Sequence, residues 1–94
     1  MNWTWDEKKA EASLKKHGVS FELACHVFDD PYHLIMPDPY VDEERWRAIG
    51  QPYSGRAVLV FVVHTWPDDD ETGRIISARE ATVHERRAYE DGKL

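Results

Sequence analysis

From Ala57 to Val63 every residue is apolar, and no other feature constrains the fold of this chain as strongly. The run is far shorter than the roughly 20 residues of a membrane span, and it is too continuous for a strand with one wet face. It predicts a strand over Ala57 to Thr65 in the middle of a sheet, with both faces covered. A chain of 94 residues has room for one such core, so residues 1–94 are expected to form a single domain.

The elements that cover this strand are marked by their punctuation. Trp3 to Trp5 reads as a short strand with both indoles on one face. Asp6 then caps a helix in which Ala10, Ser13, Leu14 and His17 share a side, and Gly18 ends it. Ser20 caps a second, shorter helix over residues 20–28, stopped by Asp29, Asp30 and Pro31. Tyr32 to Met36 is expected as a strand closed by the turn Pro37, Asp38, Pro39. Arg45 to Gln51 is another, joined to the central strand through a turn at Tyr53, Ser54 and Gly55. After a turn over Pro67 to Gly73, Arg74 to Ser77 forms a further strand. A final helix begins near Arg79 to Thr82, where two capping boxes overlap, Ser77 with Glu80 and Thr82 with Glu85. The expected order is β-α-α-β-β-β-β-α, an α+β domain with helices packed on a mainly antiparallel sheet.

Charge and cysteine content bound the function. The N-terminal residues Met1 to Asp6 carry neither a basic leader nor an apolar signal core, and Cys25 stands alone among apolar helix positions. A cytoplasmic protein with a packed thiol is the expectation, with no membrane association. The formal net charge is -6, which opposes a broad electrostatic grip on nucleic acid. The acid, however, gathers in Asp29 to Glu44 and Asp68 to Glu71. Lys8, Lys9, Lys15 and Lys16 stand near the start, and Arg74, Arg79, Arg86 and Arg87 near the end, so a local basic site remains open.

Five histidines (His17, His26, His33, His64, His84) are scattered without metal-ligand spacing, and the glycines are too isolated to cradle a phosphate. No metal and no cofactor is expected. What remains is a set of basic side chains at strand and helix ends. His64 lies at the exit of the central strand. Arg45 and Arg47 share a face of one strand, and Ser77 and Arg79 share a face of another. Metal-free RNA cleavage needs a base for the 2′-hydroxyl, cations for the phosphorane and an acid for the leaving oxygen. Histidine, arginine and lysine fill those roles, and Trp46 beside the arginines is able to stack on a base. Each residue also has a structural alternative: His17 as a dipole-favoured helix end, His64 as a cap on a core strand, Arg79 as an ion pair with Glu85.

The chain resembles the BrnT family of toxins. The likeness is carried by Trp5, Asp6, Glu7 and Lys9, by Lys16 to Glu22 (K-H-G-V-S-F-E), and by Val27 to Pro31 (V-F-D-D-P). It continues in Glu44 and Arg45 with Gly50, in Gly55 and Arg56, and in Arg74 to Ala81 (R-I-I-S-A-R-E-A), with Glu85 and Tyr89 at family spacing. The resemblance implies a RelE-like fold and an endoribonuclease that arrests growth. It further implies a BrnA-type ribbon-helix-helix antitoxin as partner, in a hetero-oligomer that reaches operator DNA only through the antitoxin and represses its own operon. Carried over residue by residue, it points to Lys16, His17, Arg45 and Arg79 as catalytic and Arg74 as RNA-binding. The chemistry above adds His64 to the first group and Arg47 and Trp46 to the second.

The chain departs from the family pattern in three places. Ser13 stands where many relatives have Asn. Tyr40, Val41, Asp42 and Glu43 occupy the loop in which many carry a histidine, and Trp66 and Pro67 follow Thr65 where they tend to carry T-x-R. These departures define a second expectation, a weakened or inactive homologue that acts mainly as an antitoxin-binding module. A third expectation, an unrelated α+β adaptor, predicts neither RNA cleavage nor association with a ribbon-helix-helix protein.

Overall fold

Val60 to Val63 of the apolar run, with His64, form the central strand of a sheet; Val58, Leu59 and Thr65 of the expected span lie outside that strand. The computed structural model describes residues 2–53, 58–66 and 72–92. In chain order they form β1 (Asn2–Thr4), α1 (Glu7–His17), α2 (Phe21–Cys25), a 3₁₀ turn (His26–Asp29), β2 (Leu34–Pro37), β3 (Trp46–Gly50), β4 (Val60–His64), β5 (Thr72–Glu80) and α3 (Val83–Asp91). The expected order of elements is the observed one. The strands lie side by side as β1-β5-β4-β3-β2, with β4 third of five. Among the described strands the β1–β5 pair is parallel and the other three pairs are antiparallel.

Strand alternation divides the side chains between two layers. Ala48, Val60, Val62, Ile75 and Ala78 face α1 and α2 and form the main core with Val19, Phe21, Ala24 and Val27. Ile49 and Phe61 point the other way and, with Leu59, pack against Ala81 and Tyr89 at the α3 end of the sheet. The sheet is thus covered fully on one face and partly on the other. The uncovered part of the second face is where the basic residues collect.

The predicted caps hold. The Asp6 carboxylate accepts from the Lys8 and Lys9 N–H groups, and Ser20 Oγ accepts from Leu23 N–H. Gly18 takes φ +73°, a left-handed conformation open to glycine without a Cβ penalty. Within α1, Ala10 packs on the core and the Ser13 hydroxyl donates to the Ala78 carbonyl, whereas Leu14 stays 49% exposed.

Several boundaries differ from the sequence reading, each for a packing reason. The second helix tightens into the 3₁₀ turn after Cys25, because Val27 must lie against Gly50; a Cβ at Gly50 would come 2.8 Å from the Val27 side chain. The first strand ends at Thr4, although Trp5 packs on the same core as Trp3. The strand after it begins at Leu34 rather than Tyr32. The strand expected over Arg74 to Ser77 runs on to Glu80, since pairing with β4 continues to Val60 opposite Glu80. Of the two capping boxes only Thr82 with Glu85 is used; Ser77 and Glu80 are strand residues. Ser54 and Gly55 of the expected hairpin turn, Arg56, Ala57 at the expected start of the central strand, and residues 67–71 of the next turn lie outside the described residues.

Candidate functional site

The second face of the sheet gathers four arginines from two distant stretches. On β3, Arg47 shares a side with Ile49; on β4 it faces Val63, two residues from Phe61; on β5, Ser77 lies opposite Val63 and Arg79 opposite Phe61. A β-bulge then shifts the register, so that Ser77 pairs Val63 while Ile75 pairs His64. One extra residue inverts the alternation. It turns Ile75 into the main core and brings Arg74 to the same side as Arg79. Arg45, one residue before β3, has the parity of Arg47.

Contacts confirm the row. The Arg79 guanidinium lies 4.3 Å from the centre of the Phe61 ring, and that of Arg47 lies 6.0 Å from the same ring. Arg47 Nε donates to Asp38 Oδ2 at 2.7 Å. The Asp38 N–H donates to the Arg45 carbonyl at 2.8 Å, which ties the base of the loop between β2 and β3. Arg45 Nε and Arg74 Nη2 both donate to one oxygen, Glu43 Oε1, at 2.9 and 2.7 Å. The Tyr40 ring stacks on Arg45 at 3.8 Å.

Every arginine in the row therefore holds a carboxylate. Arg79 is paired with Glu85, which burial pushes up and the guanidinium and the Thr82 N–H draw below the ordinary range. Hydrogen bonding to Arg47 lowers Asp38, and hydrogen bonding to Arg45 and Arg74 lowers Glu43. Four cations against three carboxylates leave the row one positive charge, in a chain whose net charge is -6. Guanidinium groups stay protonated, so the row can neutralise and orient an anion, and the proton acceptors in contact with it are Asp38, Glu43 and Glu85.

The remaining sequence candidates lie elsewhere. His64 ends the central strand, as expected, but its side chain, a candidate proton carrier in the sequence, is fully buried between Trp3, Phe28 and Trp66, with ring centres 5.3, 4.9 and 5.4 Å away. Burial lowers its pKa to about 4. Its Nδ1–H donates to the Thr65 carbonyl, and Nε2 is left without a partner among the described residues. Trp46 pairs across the strands with His64, so it points away from Arg47 and into the opposite layer. There it lines a cavity of about 230 Å³ with Ile35 and Trp66. Lys16 and His17 are exposed on the last turn of α1, the helix whose Ser13 bonds to Ala78 on that opposite layer. Cys25 packs beside the core, and burial raises its thiol pKa, as expected of a structural cysteine.

Sequence reasoning named all four arginines but missed Asp38, Glu43, Phe61 and Tyr40. The usable signal was the hairpin register: once Pro37 is set opposite Trp46, the loop that begins at Asp38 must lie against Arg45 and Arg47. Among the described residues no three His, Cys, Asp or Glu side chains converge as a metal site, and no helix is long and apolar enough to cross a membrane.

Comparison with known proteins agrees with the motifs. No curated protein matches the chain. Residues 5–85 match the family described as ribonuclease toxin, BrnT, of type II toxin–antitoxin system. That span runs from Trp5 through β5 to Glu85, the carboxylate that holds Arg79, and it shows that the chain belongs to the BrnT toxin family.

Proposed function

We propose that the protein is an endoribonuclease toxin that breaks RNA without a metal at the arginine row. The observation that carries this reading is the convergence of Arg45, Arg47, Arg74 and Arg79 on one sheet face around Phe61 and Glu43. The 2′-oxygen attacks the adjacent phosphorus, and the 5′-oxygen leaves to give a 2′,3′-cyclic phosphate. Arg79, with Arg47 beside it over Phe61, opposes the charge that grows on the phosphorane, where electrostatic stabilisation counts most. Arg45 and Arg74, which meet on Glu43, hold the neighbouring backbone phosphate and set its register. One carboxylate of the row takes the 2′-hydroxyl proton, and the departing 5′-oxygen takes its proton from solvent water. His64, enclosed by aromatic rings, supports the sheet and does not meet the substrate; Lys16, His17 and Trp46, on the other side, are assigned no step.

A type II antitoxin is the partner this reading requires. We take it to be of the BrnA kind, with a ribbon-helix-helix part through which the complex represses its own operon. Expression of the chain without antitoxin tests the proposal: growth arrest with RNA breakdown is expected, and R79A should relieve both.

A second reading has its own observation. All four arginines already bind carboxylates, so the anion positions are filled. If expression causes no arrest while antitoxin binding persists, the protein is a binding module that has lost catalysis.

A further inference from the structure

Glu43 is held in a manner unlike the other carboxylates of the row. Asp38 and Glu85 each serve a structural task besides meeting an arginine: Asp38 also accepts from Tyr40 N–H, and Glu85 also accepts from Thr82 N–H in the α3 capping box. Among the described residues Glu43 Oε1 meets two guanidinium groups and no backbone N–H, the arginines reaching it from either side of the sheet's open face. The loop that carries it is tied at its base by Asp38 to Arg45 and Arg47, so Glu43 can leave without disturbing the strands. Arg45 keeps its orientation when that happens, because Tyr40 stacks on it.

We infer that Arg45 and Arg74 form a latent phosphate site and that Glu43 occupies it in the free protein as a built-in stand-in for the RNA backbone. Two guanidinium groups converging on a single oxygen reproduce the way arginines hold a non-bridging phosphate oxygen. Two cations and one carboxylate leave a positive charge at the site, which a phosphodiester with two non-bridging oxygens satisfies across both arginines. Exposed ion pairs are weak, so a polyanion supplying several phosphates at once displaces the carboxylate. The free chain is thereby held below its full affinity for RNA. This rests on the ribonuclease reading for the identity of the ligand, and the two can fail separately.

The test is titration of the folded full-length protein with inorganic phosphate, followed on the Arg45 and Arg74 Nε–H resonances, in the wild type, E43Q, D42N and E43Q/R74A. E43Q should bind phosphate about tenfold more tightly than wild type, the scale of one or two exposed ion pairs. D42N removes the same charge one residue away and should stay within about twofold of wild type. E43Q/R74A should lose the gain. Equal affinity of E43Q and wild type, or an equal gain in D42N, overturns the inference. So does a response confined to resonances other than Arg45 and Arg74. RNA cleavage measured on the same samples separates the two readings. Tighter phosphate binding with no cleavage in any form keeps the latent site and removes the nuclease; cleavage by wild type with unchanged phosphate affinity does the reverse.

Discussion

The guanidinium of Arg79 donates two parallel hydrogen bonds to the Glu85 carboxylate, at 2.7 and 2.9 Å, and so joins the end of β5 to the first turn of α3. The same carboxylate accepts from the Thr82 N–H at 2.9 Å. One side chain thus caps a helix and aims a cation at the open face of the sheet. Glu85 keeps its capping role when Arg79 is removed, and this makes Arg79 a clean site for mutation.

R79A should remain folded and lose about 10²- to 10³-fold in RNA cleavage, the scale of removing one charge-stabilising donor from a transition state. R79K retains the charge without the planar fork and should fall between the two. Cleavage rates alongside thermal unfolding check this, and an R79A protein that is fully active would remove Arg79 from the mechanism.

Tyr89 and Asp30 fasten α3 to the 3₁₀ turn. The Tyr89 hydroxyl donates to Asp30 Oδ2 at 2.6 Å, and the same carboxylate accepts from the Gln51 and Tyr32 N–H groups. Burial raises Asp30, but these three donors outweigh it and leave the carboxyl below its ordinary range; burial and Asp30 together push Tyr89 up to about 12. Y89F should cost about 1.5–3 kcal/mol by denaturant unfolding at neutral pH, as expected for a hydrogen bond to a charged group. Asp30 contributes stability above its unfolded pKa and loses it as the pH falls through the lower folded value. The Y89F penalty should therefore shrink in acid.

His64 sets a second pH dependence with its own window. Its folded pKa is about 4 against an ordinary 6.5, so between those values the unfolded chain binds a proton that the folded chain refuses. Stability is complete above pH 6.5 and should fall by on the order of 3 kcal/mol as the pH drops toward 4. H64Q, which cannot take up the proton, should flatten unfolding free energy across that interval. An unaltered slope would mean that His64 does not control it.

Gly73 lies beneath Trp3, where a Cβ would come 2.2 Å from the indole ring. β1 pairs with β5 at this position, Trp3 opposite Gly73. G73A should destabilise the protein by about 1–3 kcal/mol through overpacking. Equilibrium unfolding measures it, and loss of the Trp3 contact with Phe28, stacked at 4.4 Å, should accompany it.

Much of this architecture was legible because local chemistry and tertiary packing agree. The uninterrupted run before Thr65 marked the central strand, Asp6, Ser20 and Thr82 mark helix starts by side chains that do the capping themselves, and Gly18 marks a helix end by its left-handed backbone. The length of β5 was not legible, since Ser77 with Glu80 imitates a helix start and only pairing with β4 overrules it. The arginines were found as a set, but their common face depends on the bulge that turns Arg74 round, and a bulge leaves no periodic signal. His64 was misplaced for a related reason. Strand position gave its neighbours along the chain, whereas its burial comes largely from Trp3 and Phe28, which reach it from two other segments, with Trp66 two residues on folding back over the ring.

Cleavage by the purified protein is the most direct test of the central claim. A short RNA is incubated with wild type and with R45A/R79A in the presence of a metal chelator, and the product ends are mapped. Wild type should cleave and leave 2′,3′-cyclic phosphate ends, while the folded double variant should leave the RNA intact. Intact RNA with wild type, or equal cleavage by R45A/R79A, would contradict the assignment of phosphodiester cleavage to the arginine row.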